Sequence, residues 1–190
     1  MDGIIGIVLA GGMSSRFGSP KALAKLQGKL YYELACEAMS AIAERIVIVS
    51  RPEFRSQLQG NADVIEDDPD FAGCGPLAGI YSVMERYPAQ LYAVLPCDMP
   101  YLTGDVLEAL AASYKGEDVL AVSFAGKDHP LVGLYASTMM EPIQTALKQE
   151  RYAVMKLLQT VNTRFVKGEE ILPDQEQGMW TFKNINVPLE

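Results

Sequence analysis

Between Leu9 and Lys21 the sequence reads LAGGMSSRFGSPK, a stretch dense in groups that hold anions. Gly11 and Gly12 carry no side chain, so their backbone N–H groups can approach a phosphate closely. Ser14 and Ser15 add hydroxyl donors, and Arg16 and Lys21 place positive charge at two separated points. The spacing excludes the two commonest nucleotide loops. No G-K-[ST] follows four residues after a glycine, and glycines at 11, 12 and 18 do not fit G-x-G-x-x-G. A solvated loop that contains two cations is the plain alternative.

Asp98, in LYAVLPCDMP, closes an apolar run. A carboxylate there suits a hard divalent cation such as Mg²⁺, which prefers carboxylate, phosphate and water oxygens. It equally suits a turn or helix cap. In VIEDDPDFAGCGPLAGI, Asp67, Asp68 and Asp70 read either as a solvated acidic turn or as a place where backbone groups and one carboxylate could read a nucleobase, guanine offering N–H donors that an aspartate accepts. Gly73, Gly75 and Gly79 around Pro76 suggest close backbone approach at a helix start. His129 is the sole histidine and reads as a structural residue or a contact to a second substrate. No G-x-S-x-G elbow supports acyl chemistry.

Composition narrows the ligand class. Lys+Arg 16 against Asp+Glu 24 gives a net charge of −8 with no basic run, which argues against grasping a nucleic-acid backbone. A local cluster must therefore hold any anion. Cys36, Cys74 and Cys97 form no C-x-x-C pair, so neither a zinc site nor a disulfide framework is expected, in keeping with a reducing compartment. The opening MDGIIGIVLAGG has an acid where a signal peptide needs base and is too short and glycine-rich to span a membrane. A soluble cytoplasmic protein without membrane or nucleic-acid partners is expected.

The elements that must carry these residues follow from periodicity. Near-continuous apolar runs at 4–9, 45–50, 62–66, 91–95 and 119–123 read as strands buried on both faces. Helical spacing falls between them at 31–43, 77–86 and 105–114, and later near 138–148 and 153–158. AGKDHPLVGLY reads as a turn entering a strand, and a further strand is expected near 164–166. The alternation predicts an α/β, three-layer, Rossmann-like fold, a mostly parallel sheet with helices on both faces. Residues 1–190 are expected to form one domain. Ligands of such sheets bind outside the carboxyl ends of the strands, where the glycine loop, Asp67 and Asp98 all fall.

Together these motifs resemble the nucleotidyltransferases with a nucleotide-diphospho-sugar-transferase-type fold, and among them the molybdenum cofactor guanylyltransferases. That family joins GMP from GTP to molybdopterin. Its opening pattern L-A-G-G-x-S-x-R-M-G-x-D-K is met at Leu9, Ala10, Gly11, Gly12, Ser14, Arg16, Gly18 and Lys21, with Phe17 and Pro20 departing. VIEDD, GPLAGI, PCDMP, DHPLVGLY and a shortened KNINVPLE tail extend the likeness over most of the chain. Pro20-Lys21 also resembles cytidylyltransferase relatives acting on molybdopterin or another small phosphorylated acceptor, whereas Gly11-Gly12 tilts the choice to guanine.

The resemblance implies that Leu9, Ala10, Gly11, Gly12 and Ser14 contact the nucleotide, and that Lys21 binds its phosphates. It implies that Asp67 reads the base or ribose and that Asp98 coordinates Mg²⁺. Arg16, Lys21 and Asp98 would be the catalytic set, with Asn184 and Asn186 on the molybdopterin side. Residues 1–100 would form a nucleotide-binding half and 101–190 an acceptor-binding half. Transient contact with other molybdenum cofactor biosynthesis proteins is expected.

Overall fold

The computed structural model describes residues 3–12, 20–58, 60, 62–172 and 174–185. Its elements in chain order are β1 (Ile4–Leu9), β2 (Lys25–Leu26), β3 (Lys29–Leu30), α1 (Tyr31–Met39), β4 (Arg45–Val49), β5 (Asp63–Ile65), α2 (Pro76–Arg86) and β6 (Leu91–Pro96). There follow α3 (Gly104–Ala112), β7 (Val119–Phe124), β8 (Lys127–Ala136), α4 (Met140–Lys148), α5 (Val154–Leu158), β9 (Thr163–Lys167), α6 (Gly168–Ile171) and α7 (Gln175–Thr181).

Seven strands form one sheet in the order β5-β4-β1-β6-β8-β7-β9. β1 lies between β4 and β6 and runs parallel to both, with Ile7 opposite Val47 on one side and Val94 on the other. Only β8 runs antiparallel, against β6 and β7. The period-2 alternation of a strand explains the three layers. Ile7, Val47 and Val94 point into the core capped by α2, α4 and α5, while Val8, Ile48 and Leu95 point into the one capped by α1 and α3. Both faces are covered, so the runs read as continuously apolar rather than alternating.

The five strands expected between positions 4 and 123 are all present. α1 stops at Met39, four residues short of the expected end, and a turn returns the chain to Arg45. Glu33 Oε2 fixes its start by accepting the Leu30 N–H at 2.7 Å. The AGKDHPLVGLY segment resolves into a tight hairpin, with Ala125 and Gly126 both at positive φ (50° and 74°) between the paired Phe124 and Lys127. That turn geometry matches the twist of the flanking strands. It also makes β8 the sheet's reversed member.

Candidate active site

Because β5, β4, β1 and β6 are all parallel, their carboxyl ends open at one edge, and the loops that follow them enclose a cleft of about 760 Å³. Gly11 and Gly12 follow β1, Arg51 follows β4, Asp67 follows β5, and Asp98 follows β6. All five line the cleft, with Lys21 reaching in from the far end of the glycine loop. A Cβ placed on Gly12 would meet nothing within 4 Å among the described residues. Gly79, by contrast, is a packing glycine. Its Cβ would sit 3.0 Å from a Leu9 methyl and 3.2 Å from a Val49 methyl, so the missing side chain lets α2 lie close on the sheet.

Lys21 and Asp98 form the charged centre. Lys21 Nζ donates to Asp98 Oδ2 at 2.9 Å, with the two side chains only 14% and 18% exposed. Asn184 Nδ2 donates to the other carboxylate oxygen at 3.0 Å, and the Ile185 N–H donates to the Asp98 carbonyl at 2.8 Å. The segment after α7 therefore fixes the orientation of Asp98. Beneath it the Cys97 N–H donates to Leu9 carbonyl at 3.2 Å, tying β6 to the start of the glycine loop. Complete burial, followed by the neighbouring Asp98 charge, pushes the Cys97 thiol up to about 12, so it is a packing group and not a nucleophile.

The opposite end of the cleft is built from the acidic loop. Gly75, at φ 82°, and Pro76 start α2. Ser82 on that helix accepts the Asp68 N–H at 2.6 Å and donates to Ala78 carbonyl at 2.7 Å, anchoring the loop. Asp67 Oδ2 accepts the Gly73 N–H at 3.2 Å. Burial raises the Asp67 carboxyl above its ordinary value, partly offset by the Gly73 hydrogen bond and the nearby Arg51 charge.

The donor set bears on the divalent cation. Among the described residues no group of three or more His, Cys, Asp or Glu side chains could form a closed metal cage. One carboxylate, Asp98, at the rim of the cleft nevertheless fits a hard cation that completes its shell with ligand and water oxygens, as Mg²⁺ does. The charge balance fits as well. Among the described residues, Glu53, Glu66, Asp67 and Asp98 line the cleft against Lys21 and Arg51, an excess of negative charge that a cation would offset.

Leu9, Gly11, Gly12, Lys21, Asp67 and Asp98 are thus brought together. Ala10 is placed differently. Its side chain is in the core and its N–H donates to Val49 carbonyl at 2.8 Å. Ser14, Arg16 and Asn186 lie outside the described residues. His129 does not line the cleft but is buried on β8 with its ring 5.7 Å from that of Phe182. Arg51, which no sequence motif singles out, lies two residues beyond the end of β4, a strand whose carboxyl end opens on the site.

The profile of the MobA-like NTP transferase domain matches residues 6–164. The chain belongs to that family. It is 40% identical to a probable molybdenum cofactor guanylyltransferase of Halalkalibacterium halodurans over 97% of this chain and 93% of that one. A probable molybdenum cofactor guanylyltransferase of a Geobacillus species is 38% identical, covering 100% of this chain and 97% of the relative. Among solved structures, molybdopterin-guanine dinucleotide biosynthesis protein A of Archaeoglobus fulgidus superposes with a TM-score of 0.80 at 27% identity, over 97% of this chain and 93% of that one. The chain is a nucleotidyltransferase, and its sheet is the mostly parallel one expected of that fold.

Proposed function

We propose that this nucleotidyltransferase moves GMP from GTP to the terminal phosphate of molybdopterin and releases pyrophosphate. The observation that carries the reading is the Lys21–Asp98–Asn184 cluster at the rim of a bare-backbone loop, in a chain 36–40% identical to relatives named as molybdenum cofactor guanylyltransferases. The acceptor phosphate oxygen forms a new bond to the α-phosphorus of GTP as the bond to the β-phosphate bridging oxygen breaks. A phosphate monoester is already largely ionised at neutral pH, so the reaction requires no general base. That agrees with a cleft whose lining holds no histidine.

Catalysis then rests on alignment and charge neutralisation. Gly11 and Gly12 let the phosphates approach the backbone, and Lys21 with Arg16 stabilises charge on the departing pyrophosphate. Asp98 would hold Mg²⁺, which would supply positive charge to offset that of the reacting phosphates. Asn184 orients Asp98, and residues 101–190 contribute the acceptor side, with Asn184 and Asn186 facing molybdopterin. No helix of the described residues is long and apolar enough to cross a membrane. The enzyme would work in the cytoplasm, in transient contact with other cofactor-biosynthesis proteins.

Pyrophosphate release measured with GTP, CTP, ATP and UTP, with and without molybdopterin and Mg²⁺, tests this reading. Release with GTP that requires both acceptor and cation is the expected result. Equal or faster release with CTP would overturn the guanylyl assignment.

A further inference from the structure

Arg51 is the cleft's second described cation, and it stands away from the Lys21–Asp98 centre. It follows β4, and its Nε donates to Gly11 carbonyl at 3.1 Å. Its stem covers the open side of Gly11, whose Cβ would lie 4.0 Å from Arg51 Cγ. That contact orients the guanidinium and leaves its two terminal nitrogens for other partners. Among the described residues the one ion pair they make is loose, with Nη1 at 3.7 Å from Glu53 and both side chains about half exposed. Asp67 lines the same end of the cleft and is close enough to Arg51 to be electrostatically coupled to it. Gly73 N–H occupies one oxygen of Asp67 and holds the carboxylate in place.

We propose that Arg51 reads the nucleobase, its guanidinium donating to O6 and N7 of a 6-oxopurine while Asp67 accepts from the N1–H and 2-amino group. The inference rests on the guanylyl-transfer reading and names the residue that would make it specific. Guanine carries adjacent acceptor and donor edges, and a guanidinium and a carboxylate at one end of a cleft match them together. Adenine would set its 6-amino donors against the guanidinium. Cytosine has no N7 and also presents an amine. In both cases polar groups of the site are left without partners, which is a stronger source of discrimination than loss of apolar contact.

The test is equilibrium binding of GTP, 7-deaza-GTP, ITP, ATP and CTP, in the presence of Mg²⁺, to the wild-type chain and to Arg51→Ala and Arg51→Lys. The wild type is expected to bind 7-deaza-GTP, which lacks N7, roughly tenfold more weakly than GTP. Arg51→Ala should erase that preference and weaken GTP and ITP alike, since both present O6 and N7, with ATP and CTP unchanged. Arg51→Lys keeps the charge without the planar fork and should recover only part of the loss. Equal weakening of all five nucleotides would mean that Arg51 merely supports the glycine loop, and unchanged GTP binding would show no role; either result overturns the proposal. A wild type that binds CTP as tightly as GTP would instead overturn the guanylyl reading itself. Thermal melts of both variants show that any loss is not unfolding.

Discussion

Lys21 Nζ stands 2.9 Å from Asp98 Oδ2 although 77 positions separate the two residues in the chain. The pairing is made by the sheet. β1 and β6 are adjacent and parallel, so the loop after β1 and the turn after β6 leave the sheet side by side. The ammonium and carboxylate neutralise each other in a place where both are mostly buried. In the proposed reaction, substrate phosphates would take over the lysine and a cation the aspartate, so that each charge exchanges one partner for another.

This arrangement separates catalytic loss from structural loss. Asp98→Asn retains shape and the capacity to accept a hydrogen bond, but removes the charge. It is expected to lower the rate of pyrophosphate release by roughly a hundredfold or more, as removal of a charge-stabilising group does. Lys21→Ala should act similarly. Each variant removes one charged partner from a mostly buried pair, so a stability loss of about 1–3 kcal/mol is expected, small enough to leave a folded protein. Steady-state kinetics beside chemical denaturation check both halves. Turnover within a fewfold of wild type in either variant would contradict the assigned roles.

Asn184 acts through Asp98. Asn184→Ala frees Asp98 Oδ1 from its donor but leaves the Ile185 N–H on the Asp98 carbonyl. The expected effect is a rise of roughly tenfold in the Mg²⁺ concentration needed for half-maximal rate, because orienting groups around a metal-binding carboxylate tune affinity by about that much. Titration of activity against Mg²⁺ reads it directly. An unchanged midpoint would make the amide a tail anchor only.

Two glycines of similar appearance in the sequence should behave oppositely. Gly133 on β8 faces β7, and an added Cβ would collide with Leu120 carbonyl oxygen and come within 3.1 Å of Ala121 Cα. Gly133→Ala should cost about 1–3 kcal/mol, the usual penalty for overpacking, seen as a lower denaturation midpoint. Gly12 has no neighbour among the described residues within 4 Å of such an atom and is not among the residues at positive φ. Gly12→Ala should therefore keep stability within about 1 kcal/mol, or raise it slightly by restricting the unfolded chain. The same methyl group would occupy space against the phosphates and should weaken GTP binding severalfold.

Gly12 and Gly133 also mark what a sequence reveals. The parallel strands were legible because burial on both faces writes an unbroken apolar run, and the ends of those strands then pointed to Asp67 and Asp98. The reversal of β8 was not legible, since DHPLVGLY is equally apolar in either direction and only the Ala125–Gly126 turn decides it. α7 was missed because QEQGMWT has little amphipathic pattern. It is placed by Gly178, where a Cβ would lie 2.5 Å from the Phe124 ring. Arg51 needed no tertiary information, only the strand-end rule applied to β4 as it was to its neighbours.

His129 provides a stability signature near neutral pH. It is 4% exposed, and burial, with Lys127 adding to the effect and Asp128 opposing it, lowers its imidazole below the ordinary 6.5. The unfolded chain therefore takes up a proton near pH 6.5 while the folded chain still resists it. The unfolded state binds more protons across that window, so folding stability must fall as pH drops below 6.5 and stop falling from this cause below the folded value. The chain has one histidine, so no second imidazole contributes to the slope. His129→Gln, measured by urea denaturation from pH 7.5 down to 5.5, is expected to flatten the decline. It should leave the pH dependence of GTP binding unaltered, because His129 does not line the cleft. A variant that keeps the full slope would place the titrating group elsewhere, and one that shifts the GTP-binding profile would connect His129 to the nucleotide.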